Sequence, residues 1–255
     1  VVEILRRRGY QVEKRESTQV NDEYIEHNSG NNFIVANFVM LKHSCRELLR
    51  KNEKYVIYEH DHKYCTSRNP GLYKDYVVPK QFIINKAFYE NASSVLVQSK
   101  FHKNIVDKNL KLSNVLSLSG NMWSESILGL MERYSQFEKE EVSGIMESTI
   151  SHKNAADSIR YCDLKKQKYK LIPSLPYREF LLEMASCKRL VFFPKTPETL
   201  SRIAVEARMM NLSVVTNKNL GASSEDWFKL KGSELISVMR NKRNEIADIV
   251  EGCFY

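Results

Sequence analysis

The sequence predicts an α/β protein built as two similar parallel-sheet halves. Three observations predict it. Short apolar runs alternate with amphipathic segments along most of the chain. One polar stretch, about 120–141, interrupts that rhythm near the middle. The alternation then resumes in the same style, with no repeat of fixed period. Strands alternating with helices argue for βαβ units and a parallel sheet.

The elements follow in order. Val1–Arg8 reads as a short helix stopped by Gly9, which leaves a first strand and its turn to be expected ahead of Val1. Asn28-Ser29-Gly30-Asn31-Asn32 is a polar turn that caps a helix over about 36–50. Phe38, Leu41, Cys45, Leu48 and Leu49 share one side of that helix. As an alternative the turn lines an acceptor, through Asn31. Tyr55–Tyr58 is a buried-strand run, followed by a helix over 81–91, a strand over 94–97, a helix over 100–110 and a strand over 114–118. Residues 121–141, with Trp123 and the run Glu138-Lys139-Glu140-Glu141, read as the connection between domains 1–120 and 142–255. In the second half, strands are expected at 142–146, 169–172, 189–193 and 213–216. Helices are expected at 155–162, 177–186, 200–210 and 233–250.

Composition narrows the class. With 255 residues, 42% hydrophobic and 27% charged, the chain is of ordinary globular make-up. No run approaches the roughly 18 apolar residues of a membrane span, and no signal peptide is visible. Five cysteines without CxxC spacing read as reduced thiols, hence a cytoplasmic protein. The net charge of +8 favours an anionic partner: nucleotide, nucleic acid or anionic membrane. Solubility alone is the plainer reading.

The most informative stretch runs from Phe193 to Arg208. A strand ends at Pro194 and a helix begins near Thr199 and Leu200. A helix N-terminus presents unpaired N–H groups and the positive end of its dipole, so it binds phosphate. Glu198 sits at that mouth. Glu206 lies slightly over two turns further on, on nearly the same face. A carboxylate there takes hydrogen bonds from sugar or ribose hydroxyls. The plainer reading makes Glu198 a partner of the helix dipole and Glu206 a solvated residue. Ala204, Val205 and Ala207 favour a buried face instead.

A second constellation, Tyr58-Glu59-His60-Asp61-His62-Lys63-Tyr64, follows a strand at its carboxyl end, where ligands of open α/β sheets bind. Lys63 and Arg68 can meet phosphate there. Two rival readings are a structural loop and a metal site of His60, His62 and Cys65. Tyr73, Tyr76, Lys74 and Lys80 add basic and aromatic surface nearby, a mixture that suits nucleic acid.

The pair Glu198-x7-Glu206 between a strand and a helix, followed by Leu212-Ser213-Val214-Val215, resembles the donor site of retaining glycosyltransferases of the GT-B fold, family four above all. The order of other pieces is similar over about residues 80–230. Ser94–His102 resembles the family's strand ending in Ser before a helix. Leu118-Ser119-Gly120-Asn121 resembles its domain junction. Ser151–Ala155 looks like the Lys-Gly segment facing the pyrophosphate, and Asn219–Glu225 like its Gly-rich loop. Three positions depart from it: Asn154, Ser201 and Asn211 stand where the family often has Gly.

The resemblance implies two Rossmann-like domains facing across a cleft. It implies a nucleoside-diphosphate sugar as donor, retention at the anomeric carbon and no tightly bound metal or cofactor. It gives Glu198 the donor sugar, Glu206 the ribose and Lys153 the diphosphate, with Thr199, Leu200 and Arg202 beside it. It gives His60 or Asp61 the sugar or the acceptor hydroxyl. The charge and the basic-aromatic surface point to a hydroxymethylated DNA base as acceptor, as in some bacteriophage enzymes. A saccharide or lipid acceptor, a nucleotide-sugar epimerase and a non-catalytic nucleic-acid-binding protein are the alternatives.

Overall fold

The runs Tyr55–Tyr58 and Ser94–Val97 are buried from end to end, as strands covered on both faces must be. In the computed structural model, which describes residues 1–52 and 54–255, both are central strands. The chain divides into unit 1, Val1–Ser119 with Arg243–Tyr255, and unit 2, Gly120–Lys242.

Unit 1 begins with helices α1 (Val2–Arg7) and α2 (Asp22–His27). Its sheet is parallel and its strand order follows the chain: β1 (Asn32–Val35), β2 (Lys54–Tyr58), β3 (Ser94–Val97) and β4 (Val115–Ser117). Helices α3 (His43–Asn52), α4 (Lys86–Glu90) and α5 (Lys100–Leu110) join them. The Ser99 hydroxyl caps α5 by accepting from the amide of His102, 3.0 Å away. The core gathers Phe38, Phe88 and Tyr89 with Tyr55 of β2. The rings of Tyr55 and Phe88 stack at 4.8 Å, and the Tyr55 hydroxyl donates to the Phe88 carbonyl at 2.6 Å.

Three readings change here. The first strand of this sheet is Asn32–Val35, inside the stretch read as turn and helix start, and it pairs in parallel with β2. The following helix begins only at His43. The helix expected over 81–91 is confined to Lys86–Glu90, because Asn85 adopts a left-handed φ of 59° and stops it on the N-terminal side.

Unit 2 contains α6 (Glu125–Ser135), within the stretch read as a connection. Leu128, Leu130 and Met131 of α6 belong to the core of this unit, beside Trp123 and Leu190. The second sheet is parallel in the order β6-β5-β7-β8, with β5 (Glu140–Met146), β6 (Tyr169–Ile172), β7 (Cys187–Phe192) and β8 (Ser213–Thr216). Helices α7 (Ala155–Leu164), α8 (Tyr177–Ala185) and α9 (Arg202–Met209) connect them. The last helix, α10, runs from Gly232 to Gly252. The chain moves outward one way from β5 to β6 and the other way from β7 to β8. The strand order therefore reverses between β5 and β7, the point where open α/β sheets bind ligands at their carboxyl ends. The sequence thus folds as α/β with two parallel sheets.

Candidate functional site

Two loops meet at that reversal. The loop after β5 carries Lys153, and the loop after β7 carries Glu198. The Lys153 ammonium donates to Glu198 Oε1 at 2.7 Å, with the two side chains 25% and 15% exposed. The ammonium also lies over the Phe192 ring, 5.8 Å from its centroid. Glu198 is held by backbone on both sides. Its amide donates to the Asn219 carbonyl at 2.8 Å, and its carbonyl accepts from the Gly221 amide at 2.9 Å.

Glu206 is buried, not solvated, at 3% exposure. Its Oε1 accepts from the indole Nε1 of Trp123 at 2.8 Å, the hydroxyl of Tyr177 at 2.7 Å and the Nε of Arg202 at 3.3 Å. The Arg202 guanidinium lies over the Trp123 ring at 5.2 Å and the Tyr177 ring at 5.9 Å. Burial, and then the Glu206 carboxylate, push the Tyr177 phenol well above its ordinary range, so it stays a donor. Sequence reasoning missed Trp123 and Tyr177 as partners of Glu206. A tryptophan in an otherwise polar stretch was the available signal.

Thr199 and Leu200 precede the helix, which starts at Arg202 and not near Thr199. Leu200 is a core side chain, so only its backbone can meet a ligand. The later start has a local cause. Ser201 sits at φ 73°, ψ 92°, outside helical geometry. Asn154 (φ 57°) and Asn211 (φ 75°) also take positive φ. All three positions where the resembling family often has Gly therefore keep a glycine-like backbone with a side chain attached. Asn tolerates this better than most residues. Asn154 also donates through Nδ2 to Asp157 at 2.7 Å and to the Phe193 carbonyl at 2.8 Å. Ser201 has no such compensation: its buried hydroxyl lacks a hydrogen-bond partner among the described residues. Ser201→Gly is therefore expected to stabilise the protein by about 1 kcal/mol, by removing strain and an unsatisfied group. A urea titration reads this directly, and a lowered midpoint would contradict it.

In unit 1, β2 delivers Glu59, His60 and Asp61 to the carboxyl edge of its sheet. His60 is exposed and its ring lies 4.7 Å from that of Tyr58. Arg68 Nη1 stands 3.3 Å from Asp61 Oδ2, so those two are together. Lys63 turns inward: its ammonium donates to the fully buried Glu59 at 2.5 Å, away from any surface phosphate. Asn31 precedes β1, whose first residue is paired with Lys54 at the start of β2. It therefore lies at the amino edge of the sheet, opposite His60 and Asp61, and parallel pairing rules out their convergence.

A buried network fixes the His60–Asp61 turn, and sequence reasoning missed it. Glu59 accepts from the amide of Asp61 at 2.8 Å, from Lys63, and from the Tyr89 hydroxyl. Burial pushes the Glu59 carboxyl up, against the pull of Lys63 and Tyr89. Burial, then Glu59, raise the Tyr89 phenol well above its usual range. His102 Nδ1 accepts from the Gln98 amide at 3.3 Å, so its Nε2 carries the proton and donates to the Asp61 carbonyl at 3.1 Å. Burial, then His62, hold His102 well below the usual histidine range and keep it neutral. Among the described residues no three His, Cys, Asp or Glu side chains are grouped to hold a metal ion. His60, His62 and Cys65 thus do not form the ligand set weighed from sequence. Among the described residues no helix is long and apolar enough to cross a membrane.

No protein-family model matches the sequence, and no curated protein matches it. Solved structures do. Sucrose-phosphate synthase of Thermosynechococcus elongatus is 11% identical with a TM-score of 0.50, over 82% of this chain and 70% of that one. A glycosyltransferase of Rickettsia africae is 13% identical with a TM-score of 0.49, over 99% and 77%. HepE of Anabaena, in complex with UDP and glucose, is 15% identical with a TM-score of 0.44, over 79% and 64%. The chain thus spans just under two thirds of the HepE chain. At these identities the likeness to the synthase bears on fold alone, and it agrees with an α/β chain of two parallel sheets.

Proposed function

We propose that the protein is a glycosyltransferase that moves a sugar from a nucleoside-diphosphate donor to an acceptor hydroxyl. The observation that carries this reading is the Lys153–Glu198 pair at the strand-order reversal of unit 2, with Glu206 on the helix that follows. A nucleotide sugar needs that set: cations for a diphosphate, and carboxylates for sugar and ribose hydroxyls. In this reading Glu198 takes the donor sugar. Glu206 takes the ribose through Oε2, which is outside the three hydrogen bonds that load Oε1. As the bond from the anomeric carbon to the diphosphate breaks, its electron pair stays on the leaving oxygen. Lys153, Arg202 and the backbone around Thr199 and Leu200 stabilise that charge. The acceptor oxygen bonds to the anomeric carbon with retention, and its proton passes to the departing diphosphate oxygen. His60 and Asp61 are the unit 1 residues proposed to serve the sugar or acceptor, with Arg68 beside Asp61. The resemblance to family four supports retention and a donor site without a resident metal.

For the acceptor, the net charge of +8 and the basic-aromatic segment of Tyr73, Lys74 and Lys80 support a hydroxymethylated base in DNA. A second reading, a lipid acceptor, is favoured by Leu72, Val77, Phe82 and Ile84, which are exposed along the same segment. One series of measurements tests both. UDP-, GDP- and ADP-glucose are screened by thermal shift, and at least one is expected to raise the melting temperature. Saturation at about 100 times Kd adds roughly 2.7 kcal/mol. No shift with any donor would remove the glycosyltransferase reading. Hydroxymethylated duplex and anionic vesicles are then compared between about 50 and 200 mM salt. DNA binding should weaken steeply over that range, and the duplex should gain a sugar per modified base. Vesicle binding without DNA binding would select the lipid acceptor.

A further inference from the structure

We propose that Glu198 is a specificity-determining residue that favours the intact nucleotide sugar over the bare nucleoside diphosphate, by holding Lys153 whenever no sugar occupies its carboxylate. The inference rests on the glycosyltransferase reading of unit 2. Its starting point is a contact between two groups with opposite duties. Lys153 is the ammonium placed to meet a diphosphate, and Glu198 is the carboxylate placed to meet a sugar. The two are bonded to each other at 2.7 Å.

The contact is built in by the backbone. Glu198 pairs with Leu220 in a parallel bridge, so its position is set by a neighbouring chain segment. Lys153 closes a turn on the Ile150 carbonyl at 2.9 Å, and the left-handed Asn154 directly follows it. The adjacent His152 carbonyl accepts from the Lys195 amide at 2.9 Å, which ties the two loops together. The pair is mostly shielded from water, so it is screened less than an exposed pair and is short enough to be charge-assisted.

The two ligands meet this pair differently. A bare diphosphate must take Lys153 from Glu198 and offers the carboxylate nothing in return, since both are hydrogen-bond acceptors. An intact nucleotide sugar brings hydroxyl donors that replace Lys153 at Glu198, and the released ammonium turns to the phosphates. The pair therefore penalises the product of transfer and spares the substrate. Once the sugar has left, Glu198 recaptures Lys153 and weakens the hold on the diphosphate. The Arg202–Glu206 contact cannot discriminate in this way. Its carboxylate is also held by Trp123 and Tyr177, and the ribose it would meet is common to substrate and product.

The test is calorimetry on the full chain with UDP, GDP, ADP and their glucose conjugates. The proteins are the wild type, Glu198→Gln, Lys153→Met and the double variant. E198Q is expected to tighten the diphosphate that binds by about tenfold, the scale of one freed charged contact. It should not tighten the matching glucose conjugate. In the K153M background, E198Q should lose this effect. Glu198→Asn supplies the same reading if E198Q does not fold. Unchanged diphosphate affinity in E198Q would overturn the inference while leaving the donor site intact. Equal tightening with and without Lys153 would also overturn it, since that is general relief of negative charge. Absence of binding by all six ligands in every protein would overturn the glycosyltransferase reading and this inference with it.

Discussion

Gly221→Ala is expected to destabilise unit 2 by about 3 kcal/mol or more and to abolish the proposed nucleotide binding in whatever fraction stays folded. The reason is space, since the φ of Gly221 is not in the left-handed region. A Cβ at this position would stand 2.3 Å from the Thr199 carbonyl oxygen and 2.6 Å from that of Glu198. Those oxygens belong to backbone and have little freedom to withdraw. Gly221 donates to the Glu198 carbonyl at 2.9 Å, Glu198 to the Asn219 carbonyl at 2.8 Å, and Ala222 to the Leu200 carbonyl at 2.9 Å. Moving the loop breaks the bonds that hold Glu198 in place. Gly129, inside α6, is the control: nothing lies within 4 Å of its added Cβ. Gly129→Ala should stabilise by roughly 1 kcal/mol through helix propensity. Urea titrations of both variants check the pair, and a G221A midpoint equal to wild type would contradict the packing described here.

The same backbone explains which parts of the fold were legible in the sequence. Ser94–Val97, Tyr169–Ile172 and Ser213–Thr216 are short runs rich in β-branched or apolar residues, bounded by turn residues, and they form strands as read. The helix over 100–110 carries its own cap in Ser99. Asn32–Val35 was not legible as a strand, because its apolar run continues through Phe38 to Leu41 and local pattern cannot divide it. Pairing with β2 decides where the strand ends. The start of α9 was misplaced for a related reason. Nothing local announces that Ser201 takes a positive φ, which is imposed by the loops around it.

The candidate site divides in the same way. The residues Lys153, Glu198 and Glu206 were singled out by spacing and resemblance. What they touch was not legible, because contacts such as that of Trp123 with Glu206 span 83 residues of chain. In unit 1 the sequence pointed to the segment after β2, but it did not show that Lys63 faces inward. A Glu and a Lys four apart just past a strand carry no sign of which way they point. Only the folded chain shows that Glu59, itself bonded to Tyr89, and His102 hold the Asp61 backbone from its amide and its carbonyl.

Glu206→Ala is expected to have the second large effect, and a companion variant separates its two causes. Glu206 Oε1 is the shared acceptor for the Trp123 indole, the Tyr177 hydroxyl and Arg202. Removing it strands the buried Trp123 indole, and leaves the exposed Tyr177 hydroxyl and the Arg202 guanidinium to turn to water. At about 1 to 3 kcal/mol for an unsatisfied buried group, a loss of that size follows from the indole alone. Glu206→Gln keeps a carbonyl oxygen for Trp123 and Tyr177, so most of the stability should return. The negative charge is still lost, and with it the charged acceptor proposed for the ribose. E206Q should therefore weaken binding of the matching nucleoside diphosphate by about tenfold while shifting the urea midpoint little. Trp123 is one of two tryptophans in the chain, so its emission reports the indole contact. That emission should change in E206A and stay close to wild type in E206Q. Calorimetry, urea titration and fluorescence on the two variants form the check. Unchanged diphosphate affinity in a folded E206Q would remove Glu206 from the donor site and leave it a packing residue of α9.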